Sequence, residues 1–572
     1  MYKEHFRSPG DQNLYWNMYG QGLERIGKDG EPETGTIPAP GPDQILVRVD
    51  SVGMCFSDVK LIRQGRNHPK LYNRDLTIEP TRLGHEVSVT VAAVGEKMGD
   101  RFHVGQRFAI QPDIYQNGRS TAYGYTVPGG LIQYHLIGDE VLVTDAGECL
   151  LPLEEGMGYA ESALLEPWGC VVAAYTQRRR LEPLEGGIMW IIGQPGDEAD
   201  YSFSQYLDRP DTIVITNCPP SLKESVETQS ANIIVRDDLA IEDYRALSEA
   251  MTGGKGFDDI VVLNPSSGAA VSEIARHIAR RGTMNLIGQQ PLDSLADADV
   301  GRLHYDYIAF VGQSGPEITD SYGEARNRCD LRPDGATVIV GAGGPMGQMH
   351  LQRALELPNG PKLLVATDVN QMRLDAIKTR FGPLADAQNR TLIVFNPTHT
   401  EETGPQNLVD LVMEVTDQQG ADDVVICVPV AALMEEGARM MKDDGMLVLF
   451  AGVPNGTEAP LDLSRVYLSN AQYTGTSGLT LDDQALVMQR ALAGELSPGL
   501  SVAAIGGMDA AIDGIEAMME GRFPGKIVIF PQIKELPLMG LDDVHTQLPE
   551  VAAALGKGNS WTQEAEDLLL QK

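Results

Sequence analysis

Cysteine is scarce in this 572-residue chain, and it is scattered. Cys55, Cys149, Cys170, Cys218, Cys329 and Cys427 form no C-x-x-C pair, which argues against a disulfide framework and against a zinc lobe built from four cysteines. No apolar run reaches the ~20 residues that cross a bilayer. The opening MYKEHFRSPGDQNLYWNMYG lacks the apolar centre of a secretory signal, so a cytoplasmic location is expected. Positive charge is short as well: 45 Lys and Arg face 80 Asp and Glu, a net charge of −35. Such a surface repels nucleic acid and anionic lipid, so neither is expected as a main partner. What is present is a globular composition with 42% hydrophobic residues. The length allows three or four domains of ~150 residues each.

Alternating strands at 43–52, 86–95 and 107–111, spaced by Gly/Pro turns, predict a β-rich first domain. The Gly-, Pro- and Glu-rich stretch 27–42 reads as loop. Beyond EPWGCVVAAYTQ, which has helical spacing, the pattern becomes β-runs separated by helix-length segments, the mark of a parallel α/β sheet. IMWIIG, IVIT, IVVLN and TMNLIG form one series; TVIVG, LLVATD, VVICV and MLVLFAG form a second. The two series are copies. Gly282 and Gly445, Arg302 and Arg465, Gly312 and Gly475, Ser314 and Ser477, and Gly315 and Gly478 each stand 163 positions apart. The first copy is shorter at its front, 95 positions from Gly193 to Gly288 against 111 from Gly341 to Gly452, and the missing length falls where the first helix belongs. The tail after PGKIVIFP reads as a surface or subunit-contact segment.

The second copy holds GAGGPMG at a strand end, opening a helical pattern. Gly341, Gly344 and Gly347 let the backbone turn and approach a pyrophosphate, with Pro345 and Met346 in the same turn offering a helix N-terminus. Asp368 follows Gly347 by 21 residues, where an acid bonds ribose hydroxyls, with Arg373 just beyond. A carboxylate there repels a 2′-phosphate, which favours NAD over NADP. The first copy has GQPGDEAD instead, with Asp197, Glu198 and Asp200 where the phosphates would lie and Asn217 at the acidic position. Carboxylates at a phosphate site oppose binding, so the first copy is expected to be a structural remnant.

Before the repeats come three short words: VGMCFSD with Cys55 and Ser57, LGHE with His85 and Glu86, and ALLEPWGC with Glu166. Thiolate, imidazole and carboxylates are ligands for a zinc with an open position. With VPGGLIQYHLIGDEVL, these words resemble the medium-chain zinc-dependent alcohol and polyol dehydrogenases, of the sorbitol dehydrogenase and L-sorbose-1-phosphate reductase kind. The resemblance places Cys55, His85 and Glu166 on one catalytic zinc, with Glu86 a direct or alternating ligand and catalytic participant. It makes Ser57 the hydroxyl that relays the substrate proton. Ser57 also fits a turn hydroxyl capping its own backbone. The family's four-cysteine structural zinc is not expected, because PDIYQNGRSTAYGYTVPGG has no cysteine. Arg63, Arg66, His68, Lys70, Arg74 and Arg82 form either a sugar-phosphate clamp or a solvated basic loop; Trp168 is either pocket wall or core.

The expected architecture is α/β. A GroES-like zinc catalytic domain (1–183) precedes a degenerate Rossmann-like copy (184–330), an NAD-binding Rossmann copy (331–475) and a return to the catalytic domain with a tail (476–572). The expected activity is hydride transfer between NAD(H) and a secondary alcohol or ketone of a polyol, sugar or sugar phosphate. The chain is expected to act as a homodimer or homotetramer. The rivals are a zinc-free quinone or enone reductase of the same superfamily and a non-catalytic nucleotide-binding scaffold.

Overall fold

Strand Ile45–Gly53 is buried at every position because it lies at the centre of a sheet. In the computed structural model, which describes residues 2–176, 179–229, 232–237, 239–399 and 405–571, it pairs antiparallel with Glu86–Val94, Tyr134–Ile137 and Lys526–Phe530. Arg107–Ile110 and Leu150–Pro152 extend the sheet on one side, Val502–Gly507 and Met539–Gly540 on the other. The chain therefore closes its first domain with strands from its last hundred residues. The stretch 27–42 is not all loop: Glu33–Thr36 pairs antiparallel with Gln12–Tyr15. Its sequence, ETGT, has no apolar alternation to announce a short two-stranded ribbon.

The tail also departs from expectation. Helices Leu541–Gln547, Pro549–Ala553 and Gln563–Leu569 pack into the core, with Trp561 and Glu566 each 1% exposed. The Glu566 carboxylate accepts from the Tyr159 and Ala160 amides at 2.5 and 2.8 Å, the free N–H groups opening helix Tyr159–Ala163, and from Trp561 Nε1 at 3.3 Å. Burial pushes its pKa up to about 7 despite those donors. One buried acid inside a polar helix gives no periodic signal, which is why the segment reads as surface. Glu566→Ala leaves two buried amides unpaired and is expected to cost roughly 2–4 kcal/mol, read as a lower denaturant midpoint at unchanged slope.

The two copies fold alike. The first forms a parallel six-stranded sheet in the order Ile233–Val235, Thr212–Thr216, Ile188–Ile192, Phe257–Leu263, Ile278–Ile287, Ala309–Gln313. The second repeats it as Thr391–Phe395, Leu363–Thr367, Ala336–Val340, Ala421–Ile426, Met441–Leu449, Gln472–Gly475. Each order reverses beside its first strand, the switch point at which such sheets bind ligands. They differ at that point. In the second copy, Ala336–Val340 leads into helix Pro345–Glu356. In the first, residues 193–211 contain no helix. Phe203 and Leu207, each 1% exposed, cover the sheet there instead. The helix N-terminus that would meet a pyrophosphate is thus missing from the first copy.

The copies face each other about a pseudo-twofold axis. Strand Ala296–Asp299 pairs antiparallel with its counterpart Glu458–Leu461. A side chain at Gly312 would meet Tyr467 Cβ at 2.9 Å, and one at the equivalent Gly475 would meet His304 Cα at 2.9 Å. Alternation along the second copy's strands splits their burial between two neighbours. Val338, Val424 and Leu447 join a cluster that continues to Trp190 and Phe257 of the first copy. Ile339, Val425 and Val448 join one that includes Leu165 and Trp168 of helix Leu165–Ala173. Trp168 is thus core. The second copy is the one seated on the first domain: Arg380 donates to the Pro524 and Val502 carbonyls at 2.9 and 2.8 Å. No helix among the described residues is long and apolar enough to cross a membrane.

Candidate functional site

Pairing of the two central strands sets Gly53 opposite Glu86. A side chain at 53 would collide with the Glu86 carboxylate, so glycine clears its place. Two residues on, Cys55 caps helix Phe56–Gln64, whose first turn carries Ser57 and Asp58. The ligand atoms of Cys55, His85 and Glu86 all lie within 4.8 Å of one another, the one cluster of its kind among the described residues. Ser57 Oγ bridges two of them, 3.0 Å from Cys55 Sγ and 3.3 Å from His85 Nε2.

The surroundings hold the cluster and set its charge. Asp58 accepts from the Cys55 and Gly84 amides at 3.1 and 3.3 Å and stands 3.4 Å from His85 Nδ1. Lys526 Nζ meets Glu86 Oε1 at 2.5 Å, both groups almost wholly buried. Glu86 Oε2 is buried and has no hydrogen-bond partner among the described residues. Burial alone would depress the His85 pKa, yet Asp58 and Cys55 raise it well above the ordinary value. The site therefore favours an added cation, and its donors are one thiolate, one imidazole and one carboxylate, a set that suits zinc.

Glu166 lies outside this tight trio. It is 7% exposed on helix Leu165–Ala173, where burial pushes its pKa up to about 7, against the opposing pull of His85. Cys170, one turn on, stands 3.9 Å from it, and burial drives its thiol pKa well up. The spacing of four between Glu166 and Cys170 on one helix is the sequence signal for this contact. Lys526 was missed, and nothing local at position 526 announces a partner 440 residues away.

The basic run divides. Arg74 donates to the Tyr125 and Thr126 carbonyls at 3.1 and 2.6 Å, and Arg82 to that of Gly129 at 3.2 Å, so both are spent on backbone. Arg66 donates to the Asn73 carbonyl at 3.3 Å, and Arg63 lies over Phe56. His68 and Lys70 instead flank the Tyr125 ring, whose centroid is 5.9 Å from that of His85; Lys70 also pairs with Asp113 at 3.1 Å.

The structure gathers Gly341, Gly344, Pro345, Met346, Gly347, Asp368 and Arg373 at the carboxyl edge of the second sheet. Gly341 has φ +79°, a region most side chains avoid. A Cβ at Gly347 would collide with the Gly341 carbonyl, so helix and strand pack closely here. Gly344 caps the helix and Pro345 opens it. A Cβ at Gly344 has nothing nearer than 3.7 Å, which leaves open space before the helix N-terminus. Asp368 accepts from the Gly343 and Asn370 amides at 3.0 and 2.9 Å, and Arg373 lies against Gly343 and Gly521.

The alcohol dehydrogenase GroES-like domain family matches residues 41–157. The chain is 31% identical over 310 residues to an L-sorbose 1-phosphate reductase of Klebsiella pneumoniae, covering 50% of this chain and 73% of that one. It is 23% identical to a mannitol-1-phosphate 5-dehydrogenase of Aliivibrio fischeri (strain ATCC 700601 / ES114) over 95% of both chains. The crystal structure of Bacillus subtilis 2R,3R-butanediol dehydrogenase shares the fold at a TM-score of 0.50 and 14% identity, covering 91% of this chain and 99% of that one. Strand order, residue cluster and relatives agree: the chain is an oxidoreductase and belongs to the medium-chain zinc-dependent alcohol and polyol dehydrogenase superfamily.

Proposed function

We propose that the protein transfers a hydride between NAD(H), held by the second copy, and a secondary alcohol or ketone of a polyol, sugar or sugar phosphate held at Cys55, His85 and Glu86. The convergence of those three side chains with a serine hydroxyl between them carries the reading. Zinc supplies Lewis acidity that brings an alcohol's ionisation toward neutral pH, and the nicotinamide supplies a two-electron carrier. Everything else falls to the chain. Asp58 favours the His85 tautomer with its proton on Nδ1, leaving Nε2 free as a donor pair. Lys526 neutralises Glu86 Oε1, so Oε2 faces the cluster without stranding a full charge. Ser57 Oγ takes the substrate proton outward. Glu166, beside the trio, is assigned as a further carboxylate available to the zinc, with Glu86 the direct or alternating ligand.

Two of the relatives are named for sugar or polyol phosphates, which extends the proposed substrate class to phosphate esters. A zinc-replete preparation assayed against polyols, ketoses and their phosphates, with NADH absorbance as readout, tests the proposal; turnover of none of them overturns it. NAD should outperform NADP by at least roughly tenfold, ~1.4 kcal/mol, because the Asp368 carboxylate repels a 2′-phosphate. Asp368→Asn keeps an acceptor for the loop amide and should narrow that margin. Equal use of both cofactors by the parent protein defeats the assignment. Asp58→Asn should weaken zinc retention about 10–100-fold, since outer partners of a ligating histidine contribute that much; competition with a chelator measures it.

A further inference from the structure

The edge strand Gln472–Gly475 of the second copy and the edge strand Ala309–Gln313 of the first belong to separate sheets, and both line one cavity of about 60 Å³. Every domain reaches it. Thr176 follows the first domain's helix Leu165–Ala173, and Phe310 belongs to the first copy. Gln472 and Thr476 belong to the second copy, and Arg326 and Arg328 to the connection between the copies. The residues 163 positions before Gln472 and Thr476 are Ala309 and Gln313, so the dyad does not repeat this pair of polar groups.

The polar atoms left over in this lining can donate. Gln472 is 7% exposed, and its Oε1 accepts from the Arg328 amide at 2.9 Å. That bond orients the side-chain amide and leaves its buried nitrogen with no hydrogen-bond partner among the described residues. Thr476, 4% exposed, has a buried hydroxyl in the same state, and so have Arg326 and Arg328 at Nε. The two guanidiniums differ in charge balance. Arg328 is neutralised by Asp423. Arg326 forms no ion pair with a described residue and donates to the Gly312 and Val466 carbonyls. Arg179 lines the cavity too, donating to Asn327 and to the Gly323 and Arg326 carbonyls. Burial lowers the pKa of both arginines, that of Arg179 to about 10, so their charge is held against the cost of desolvation.

Water suits such a lining poorly, because it accepts two hydrogen bonds and must place two protons of its own. An anion accepts from all these donors and supplies the charge that Arg326 lacks. We infer that the cavity binds one small inorganic anion, a halide or a tetrahedral oxyanion, through Arg326, Gln472 and Thr476, and that the ion fastens the first copy to the other two domains. A chain of net charge −35 repels anions in general, so a bound one needs local cations of this kind. The lining shares no residue with the metal cluster or the nicotinamide loop, and the inference does not rest on hydride transfer.

Thermal unfolding of the full chain tests it, followed at constant ionic strength as chloride or phosphate replaces gluconate, which is too large for the cavity. The midpoint should rise saturably, by about 2 °C or more at a tenfold excess over Kd. The ion that saturates at the lower concentration is the occupant. Arg326→Met should weaken the apparent affinity at least about tenfold, the loss of a charge-assisted contact. In gluconate alone it should unfold no earlier than the parent, because it removes a buried charge without a counter-ion. An arginine serving only the fold would instead unfold earlier in every medium and keep its ion response. A midpoint indifferent to which anion is present overturns the inference, as does a full response in Arg326→Met. Should that variant not fold, crystals of the parent soaked in bromide, or in arsenate where phosphate proves the tighter ion, give a second measurement. An anomalous peak beside Arg326 and Gln472 is expected, and its absence removes the site. Neither measurement uses turnover, so the dehydrogenase reading and this site can fail separately.

Discussion

Cys55→Ala is expected to cut turnover by about a thousandfold or more, ~4 kcal/mol of transition-state stabilisation. The thiolate is the soft donor of a three-residue cluster, and the remaining imidazole and carboxylate bind zinc weakly by themselves. Metal analysis should fall from about one zinc per chain, the count for a single open site, to a small fraction of that. Nicotinamide affinity should hold within about twofold, since the loop lies in a different domain with its own core. The residue is half-buried at a helix cap, so the fold should survive. A variant that keeps both its zinc and its turnover sinks the cluster as the reacting centre; two tightly held zincs in the parent sink the single-site reading.

Gly344→Asp should remove nicotinamide binding, raising Kd by roughly a hundredfold, ~3 kcal/mol. A side chain fits there without collision, so loss of binding would report on the ligand and not on misfolding. The added carboxylate would stand in the open space before the first amides of helix Pro345–Glu356 and compete with a cofactor phosphate for them. Asp197→Ala in the first copy should change nothing, because residues 193–211 present no helix N-terminus. Calorimetric titration of the parent should give one nicotinamide per chain. A cofactor found in the first copy, or tight binding retained by Gly344→Asp, defeats the assignment.

The duplication was legible because a parallel sheet buried on both faces writes its strands as apolar runs, and constant offsets survive where single residues drift. The deficit in the first copy does not fall where the first helix belongs: Ile188 and Thr212 stand 24 positions apart against 27 for Ala336 and Leu363, while the next pair of strands, Ile213 and Ile233 against Leu363 and Thr391, differs by 20 to 28, so that helix is replaced by non-helical chain and not deleted. Contacts between distant elements were not legible. Lys526 and Glu86 meet because two central strands pair, and neither word names the other. His304 belongs to a helix that looks like ordinary interior until the dyad places it on Leu449. Cys170 was recoverable, since it stands one helical turn from Glu166. The tail was misread because its anchor is a single buried carboxylate within an otherwise polar helix.

Strand Ala296–Asp299 and strand Glu458–Leu461 meet as two subunits of a symmetric dimer would. In a true dimer one gene writes both faces, and every mutation appears twice. Here the faces are encoded separately. Gly475 and Gly452 receive His304 in one half, while the equivalent Gly312 and Gly288 receive Tyr467 in the other. Tyr305 can change without altering Leu468. Covalent linkage also makes the pairing of the halves intramolecular, so it does not weaken on dilution as subunit association does. The gene is thereby released from self-complementarity: one half can lose a ligand and gain a new surface while the other remains under constraint.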